Sequence, residues 1–217
     1  MAVVMYDLDG TLLDTAGEIT RAVNLTLEEF GHRPVTEDDV RRWIGHGTGW
    51  LMQTAWKATD GLAATSWNEV MARFHHHYDA TAGTTSTAFP YVLETLKKAR
   101  DYGVRQAIVT NKERRFTERV LQKHGLQDAF DMVICGDSLA VKKPDPGVIE
   151  HCLAALGATP GEALFIGDSE IDVSTAKAAG VTCWAVPYGY NKGKPIADAN
   201  PDRIVPDIRE VPGFFRH

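Results

Sequence analysis

Five short apolar runs, at residues 2–6, 106–110, 132–135, 163–166 and 181–186, constrain the fold of this chain more than any other feature. They carry apolar, often β-branched residues at consecutive positions, which suits strands buried on both faces. From Pro90 onward the runs alternate with helical stretches. Leu93, Leu96 and Ala99 mark one helix that stops at Gly103. Phe116, Val120, Leu121 and His124 mark the next, ended by Gly125. Val148, Ile149, Cys152, Leu153 and Leu156 mark a third, ended by Gly157, and residues 171–179 read as a fourth, ended by Gly180. This alternation predicts an α/β fold with a parallel sheet covered by helices on both sides. From Asn200 onward the prolines at 201, 206 and 212 predict an irregular tail.

The first run stands apart, separated from the rest by a stretch that is helical throughout. Ile19, Val23, Leu27 and Phe30 form one apolar stripe. Thr36-Glu37-Asp38-Asp39 reads as a capped helix start. Val70, Met71 and Phe74 form another apolar face, and four of the five tryptophans (Trp43, Trp50, Trp56, Trp67) fall here, which predicts a small core of its own. The polar tract from Thr81 to Thr87 suits a linker. Residues 15–87 are therefore expected to be a helical insertion in a core formed by 1–14 and 88–217.

Charge and composition exclude several classes. The 217 residues hold 23 Lys+Arg against 29 Asp+Glu, a net charge of −6, where a nucleic-acid scaffold needs a basic face. No apolar run approaches the ~18 residues of a membrane span. The opening residues reach Asp7 too soon for a signal-peptide core. Cys135, Cys152 and Cys183 are odd in number and set in apolar surroundings, so they read as buried thiols of a reducing compartment. A cytoplasmic protein is expected.

Ligands of an open parallel sheet bind beyond the carboxyl ends of its strands. Here the first strand runs into Asp7-x-Asp9-Gly10-Thr11, the second into Thr110-Asn111, and the loop after the third carries Lys142-Lys143-Pro144. The strand at 163–166 runs into Gly167-Asp168-Ser169-Glu170-Ile171-Asp172. Packing alone does not account for acids, a hydroxyl, an amide and a base at four strand ends.

These four segments resemble the motifs of the haloacid dehalogenase superfamily, and the resemblance covers nearly the whole chain, inserted helices included. It implies a Rossmann-like, doubly wound core with an α-helical cap. Within that superfamily, Arg42-Trp43-Ile44-Gly45-His46-Gly47 and Pro187-Tyr188-Gly189-Tyr190-Asn191 are similar to segments of phosphoglycolate phosphatases. Hydrolysis of a phosphate monoester needs accelerations up to ~10²¹-fold, so nucleophile, charge neutralisation and positioning must act together. Asp7 suits an in-line nucleophile and Asp9 the group that protonates the leaving oxygen and then activates water. Thr110 and Asn111 are expected to donate to phosphoryl oxygens, with Gly10 and Thr11 close by. The motif puts its lysine directly before proline, which favours Lys143 over Lys142 for neutralising the phosphate.

Two carboxylates ~4 Å apart repel by about 4 kcal/mol at an effective dielectric near 20, so the acid cluster calls for a cation, and oxygen ligands with a phosphate favour Mg²⁺. The resemblance implies Asp7, the backbone carbonyl of Asp9, and Asp168 as ligands. Asp172 either joins them, through water, or holds Lys143. Dehalogenases lack the second acid, so Asp9 favours phosphate chemistry. A phosphonatase needs a cap lysine, and Lys57 is the sole lysine between Asp9 and Lys97, in no recognisable pattern.

The expected activity is hydrolysis of a small phosphate ester, 2-phosphoglycolate first, by a monomer or homodimer without nucleic acid or membrane. Sugar-phosphate phosphatase and phosphomutase are the rival readings, followed by a phospho-acceptor or a scaffold domain. Arg42 and His46 of the cap, and Tyr190, with Asn191, beyond the last strand, are the expected substrate neighbours. His75-His76-His77 reads as a solvated helix face, because consecutive helical residues point in different directions.

Overall fold

The computed structural model describes residues 2–59 and 66–215. Its strands are β1 (Val3–Tyr6), β2 (Leu13–Asp14), β3 (Thr87–Ala88), β4 (Arg105–Val109), β5 (Met132–Ile134), β6 (Ala163–Gly167), β7 (Thr182–Ala185) and β8 (Arg203–Ile204). Four helices, α1 (Ala16–Glu29), α2 (Glu37–Trp43), α3 (Thr48–Ala58) and α4 (Trp67–Thr81), fall between β2 and β3. Five more follow: α5 (Val92–Asp101), α6 (Arg114–Lys123), α7 (Gly147–Leu156), α8 (Glu170–Ala178) and α9 (Val211–Phe214).

Six strands form one sheet in the order β5-β4-β1-β6-β7-β8, every neighbouring pair parallel. Alternate residues of β1 feed opposite faces. Val4 and Tyr6 pack with Ile108, Leu164 and Ile166 on one side. Val3 and Met5 pack with Ala107, Phe165 and Cys183 on the other. Burial on both faces explains why these strands read as continuous apolar runs rather than as alternating ones. The sixth strand corrects the expected irregular tail. Arg203–Ile204 pairs with Trp184 and Ala185, although both of its residues are exposed. A two-residue exposed edge has no apolar pattern to announce it; backbone hydrogen bonding alone creates it.

The helical stretch folds as the periodicity predicts. Thr36 and Asp39 exchange side-chain and backbone hydrogen bonds in a capping box that starts α2. A separate tryptophan core is not what forms. Ile19, Leu27, Met52 and Phe74 belong to the same apolar cluster as Leu164 and Ile166 of the sheet, and Trp50 is 39% exposed. The chain enters and leaves the helices through β2 and β3, which pair antiparallel, Leu13 with Ala88 and Asp14 with Thr87. The polar linker is anchored: the buried Glu18 carboxylate accepts the backbone N–H groups of Gly83 (2.8 Å) and Ser86 (3.2 Å). All three cysteines are buried and free, as their surroundings predict.

Candidate active site

Sheet order reverses direction at β1, so the crevice between β1 and β6 is the place where a doubly wound sheet binds ligands. The register brings Tyr6 beside Ile166, and the Asp7 N–H donates to the Ile166 carbonyl at 2.9 Å. Asp7 and Asp168, 161 positions apart, therefore emerge at the same edge. One oxygen each of Asp7, Asp168 and Asp172 lies within 4.8 Å of the others, and all three residues are buried. Two glycines make the crowding possible. A Cβ on Gly167 would sit 2.3 Å from the Asp172 Cβ, and Gly10, at φ +90°, would bring one within 2.5 Å of Asp168 Oδ2.

Lys143, 3% exposed, is the cation among these carboxylates. Its Nζ donates to Asp172 Oδ1 at 2.6 Å and forms an ion pair with Asp7 Oδ1 at 2.8 Å. Lys142 is exposed and donates instead to the His46 carbonyl at 2.8 Å. Asp172 Oδ2 accepts from Ser169 Oγ (2.7 Å) and from the N–H groups of Ser169 and Asp168 (3.1 and 3.2 Å). Both Asp172 oxygens are thus engaged, one with the lysine and one with the loop.

One lysine does not balance three buried acids. Burial pushes the Asp7 carboxyl up to about 6 against the pull of Lys143, with Asp172 adding to the rise. Burial, and then the charges of Asp172 and Asp7, raise Asp168 well above the usual carboxylate range. An all-oxygen cluster with surplus negative charge fits a divalent cation.

Asp9, Thr110, Lys143 and Asp172 line, with Asp7, a cavity of about 40 Å³ that is closed over by Ile19, Leu51 and Tyr78 of the inserted helices. Several polar side chains expected near the substrate have protein partners. Thr11 is fully buried and gives its hydroxyl to Asp168 Oδ1 at 2.7 Å, so it orients that acid. The Asn111 amide nitrogen donates to the carbonyls of Gly45 (2.8 Å) and Lys143 (2.9 Å), which ties the sheet end to the α2–α3 loop. Thr110 Oγ1 accepts from the Lys112 N–H at 3.2 Å, and its proton is left for a ligand.

The cap residues singled out from sequence do not reach the cavity. Arg42 pairs with Asp39 and borders a separate groove with Asp38 and Gly193. His46 packs its ring on Trp50, centroids 4.7 Å apart. Burial and the nearby Lys192 and Lys142 hold the His46 imidazole below its usual pKa. Tyr190 is buried; its backbone N–H donates to Asp168 Oδ2 at 2.5 Å, and its hydroxyl accepts the N–H groups of Thr15 (2.9 Å) and Ala16 (3.2 Å) and bonds Asp14. Tyr190 therefore fastens the start of α1 to the sheet. Asn191 accepts the Glu170 N–H at the start of α8. In the His75-His76-His77 run, His75 and His77 meet different acids, Glu113 at 3.4 Å and Glu29 at 2.9 Å.

Tyr190→Phe strands the Thr15 N–H, leaves the Ala16 N–H its 3.4 Å bond to Asp14 Oδ1, and is expected to cost about 2 kcal/mol. That corresponds to a fall of roughly 4–8 °C in melting temperature, read by calorimetry. An unchanged melting point would remove this fastening role.

Lys112 was not anticipated from sequence. Its Nζ forms a buried ion pair with Asp9 Oδ1 at 2.9 Å and a short hydrogen bond with the Tyr78 hydroxyl. Burial works against its charge, but the Asp9 carboxylate and Tyr78 outweigh it and keep the ammonium protonated. The available signal was its position, directly after Thr110-Asn111 at a strand end.

This fold and acid cluster define a class. The family model of haloacid dehalogenase-like hydrolases matches residues 4–186, and the chain belongs to that family. Phosphoglycolate phosphatase 1 of Pseudomonas aeruginosa is 39% identical over 211 residues, covering 96% of this chain and 77% of the relative. Phosphoglycolate phosphatase of Aliivibrio fischeri is 36% identical, covering 95% of this chain and 92% of the relative. Among solved structures, one described as a predicted phosphoglycolate phosphatase from Haemophilus somnus superposes with a TM-score of 0.95 at 28% identity, covering 100% of this chain and 98% of the other. No helix among the described residues is long and apolar enough to cross a membrane.

Proposed function

We propose that the chain is a Mg²⁺-dependent phosphatase of small phosphate monoesters, with 2-phosphoglycolate the first candidate substrate. The observation that carries this reading is the meeting of Asp7, Asp168 and Lys143 at the sheet's switch point with the Asp9 side chain lining the same cavity. Asp7 attacks phosphorus in line and forms an aspartyl-phosphate. Asp9, ion-paired as a carboxylate in the free protein, takes up a proton with the substrate. The ester oxygen departs with that proton, and the resulting Asp9 carboxylate takes a proton from the water that then cleaves the aspartyl-phosphate. Thr110 and Lys143 stabilise charge on the phosphoryl oxygens. Asp7, Asp168 and the Asp9 carbonyl are the metal ligands in this reading, and Asp172 holds Lys143. The bound cation supplies further neutralisation of phosphate charge.

Residues 15–87 act as a cap that moves against the core about the β2–β3 pair. Opening it breaks the Asn111–Gly45 and Lys142–His46 hydrogen bonds and admits substrate; closing it excludes water. The likeness to phosphoglycolate phosphatases along nearly the whole chain supports a small ester over a sugar phosphate. Every group in the mechanism comes from one chain, so a monomer or a homodimer suffices, working in the cytoplasm.

Phosphate release from a panel of small esters tests the substrate, with 2-phosphoglycolate expected to have the highest kcat/KM. Greater turnover of a hexose phosphate, or phosphoryl transfer to a sugar, would overturn it. Chelation by EDTA is expected to abolish release, and Mg²⁺ alone, at about 100 times its Kd, to stabilise the fold by about 2.7 kcal/mol. Calorimetry with and without Mg²⁺ reads that shift without reference to activity.

A further inference from the structure

The cavity holds a second buried cation that the mechanism above leaves unused. Lys112 is 5% exposed and comes from the loop after β4, whereas its partners come from three other places. Asp9 follows β1, Tyr78 lies on α4, and Glu18 lies on α1. The Lys112 ammonium is 2.9 Å from Asp9 Oδ1 and hydrogen-bonded to the Tyr78 hydroxyl, and Glu18 is among the charges that act on it. Thr15 Oγ1 donates to the same Asp9 oxygen at 2.7 Å. Two donors thus converge on Oδ1, one from the core and one from the first residue of the insertion, and Oδ2 is left to the substrate.

We infer that Lys112, held in place by Tyr78, is the positioning residue that aims Asp9 at the leaving-group oxygen.

The physical reason lies in the lysine side chain. An ammonium on a four-carbon stem is mobile and strongly hydrated, and it neutralises a carboxylate without orienting it. Fixing that stem takes walls and a third partner, and here both belong to the cap. Tyr78 is 1% exposed and packs on Phe116 with ring centroids 4.2 Å apart, so its hydroxyl has little freedom. A proton donor must lie within hydrogen-bond reach of its target, so losing that hold uncouples Asp9 from the ester.

This inference rests on Asp9 being the proton donor, and the test separates the two. 2-Phosphoglycolate releases an alkoxide that needs a proton, whereas p-nitrophenyl phosphate releases a stable phenolate. The ratio of their kcat/KM values reports proton donation up to loss of the leaving group. Lys112→Met is expected to lower the alkyl-to-aryl ratio at least ~10-fold, and the nearly isosteric Tyr78→Phe about 3-fold in the same direction. A structural defect lowers both substrates alike and leaves the ratio fixed, which would overturn the positioning role. If Lys112→Met does not fold, Tyr78→Phe carries the test. Asp9→Asn should collapse the ratio furthest. A ratio unmoved by Asp9→Asn would show that Asp9 is not the donor and overturn the mechanism itself; a collapse there with no change in the other two variants would overturn only the inference about Lys112.

Discussion

Asp7→Asn should lower phosphate release by at least about 10⁴-fold while leaving the fold intact. The carboxamide keeps the shape of the side chain but has no anionic oxygen to form the acyl phosphate, and loss of a covalent nucleophile is among the largest single-residue effects in enzymes. Stability should move the other way. The Asp7 carboxyl is raised from 3.8 to about 6 in the folded protein, so the folded state holds its proton more tightly than the unfolded chain does. Stability attributable to this group therefore falls as pH rises through that window. In EDTA, the Asn variant should melt no lower than the parent at pH 8, and its advantage should narrow toward pH 4. Wild-type turnover by Asp7→Asn would remove Asp7 from the nucleophilic role, and a destabilised variant at pH 8 would contradict the electrostatics.

Lys143→Met should be the most damaging change for stability and should lower activity as well. It removes the hydrogen-bonded cation from among three buried carboxylates and leaves Asp172 Oδ1 without its 2.6 Å donor. Breaking a buried ion pair by deleting one partner costs about 3–5 kcal/mol. For a chain of this size that is a fall of roughly 6–20 °C in melting temperature. Turnover should fall about 10²–10³-fold from the loss of charge stabilisation at the phosphoryl group. Added Mg²⁺ should recover part of the melting temperature, because a divalent cation offsets the same surplus charge. A variant that melts with the parent would mean that Lys143 does not hold the acid cluster together. Lys142→Met, on the exposed neighbour, should lose only the bond to the His46 carbonyl.

The two lysines illustrate what can be read locally. The family motif, which puts its lysine directly before proline, singled out Lys143 over Lys142, and the structure buries the first and exposes the second. The five strands of the parallel sheet and the helices between them were equally legible, because burial on both faces leaves its mark at every position of a strand. The edge strand Arg203–Ile204 was not legible, since it buries neither residue. Thr11, Asn111 and Tyr190 belong to the right neighbourhood but bond to protein groups: Thr11 to Asp168, Asn111 to Gly45, Tyr190 to Asp14 and the start of α1. A sequence says which side chains carry polar atoms, not which of those atoms find a partner.

The chain's linear pattern determined its layers, its acid-bearing strand ends and the chemistry those acids suit, because hydrophobic period and motif spacing are local properties. Only the tertiary structure decided that Lys112, Tyr78 and Asp9 share one buried network, since the pairs among them that touch lie 34 and 103 positions apart. Charges at such separations meet only after the sheet register and the helix packing have formed, and burial then makes their pairing obligatory.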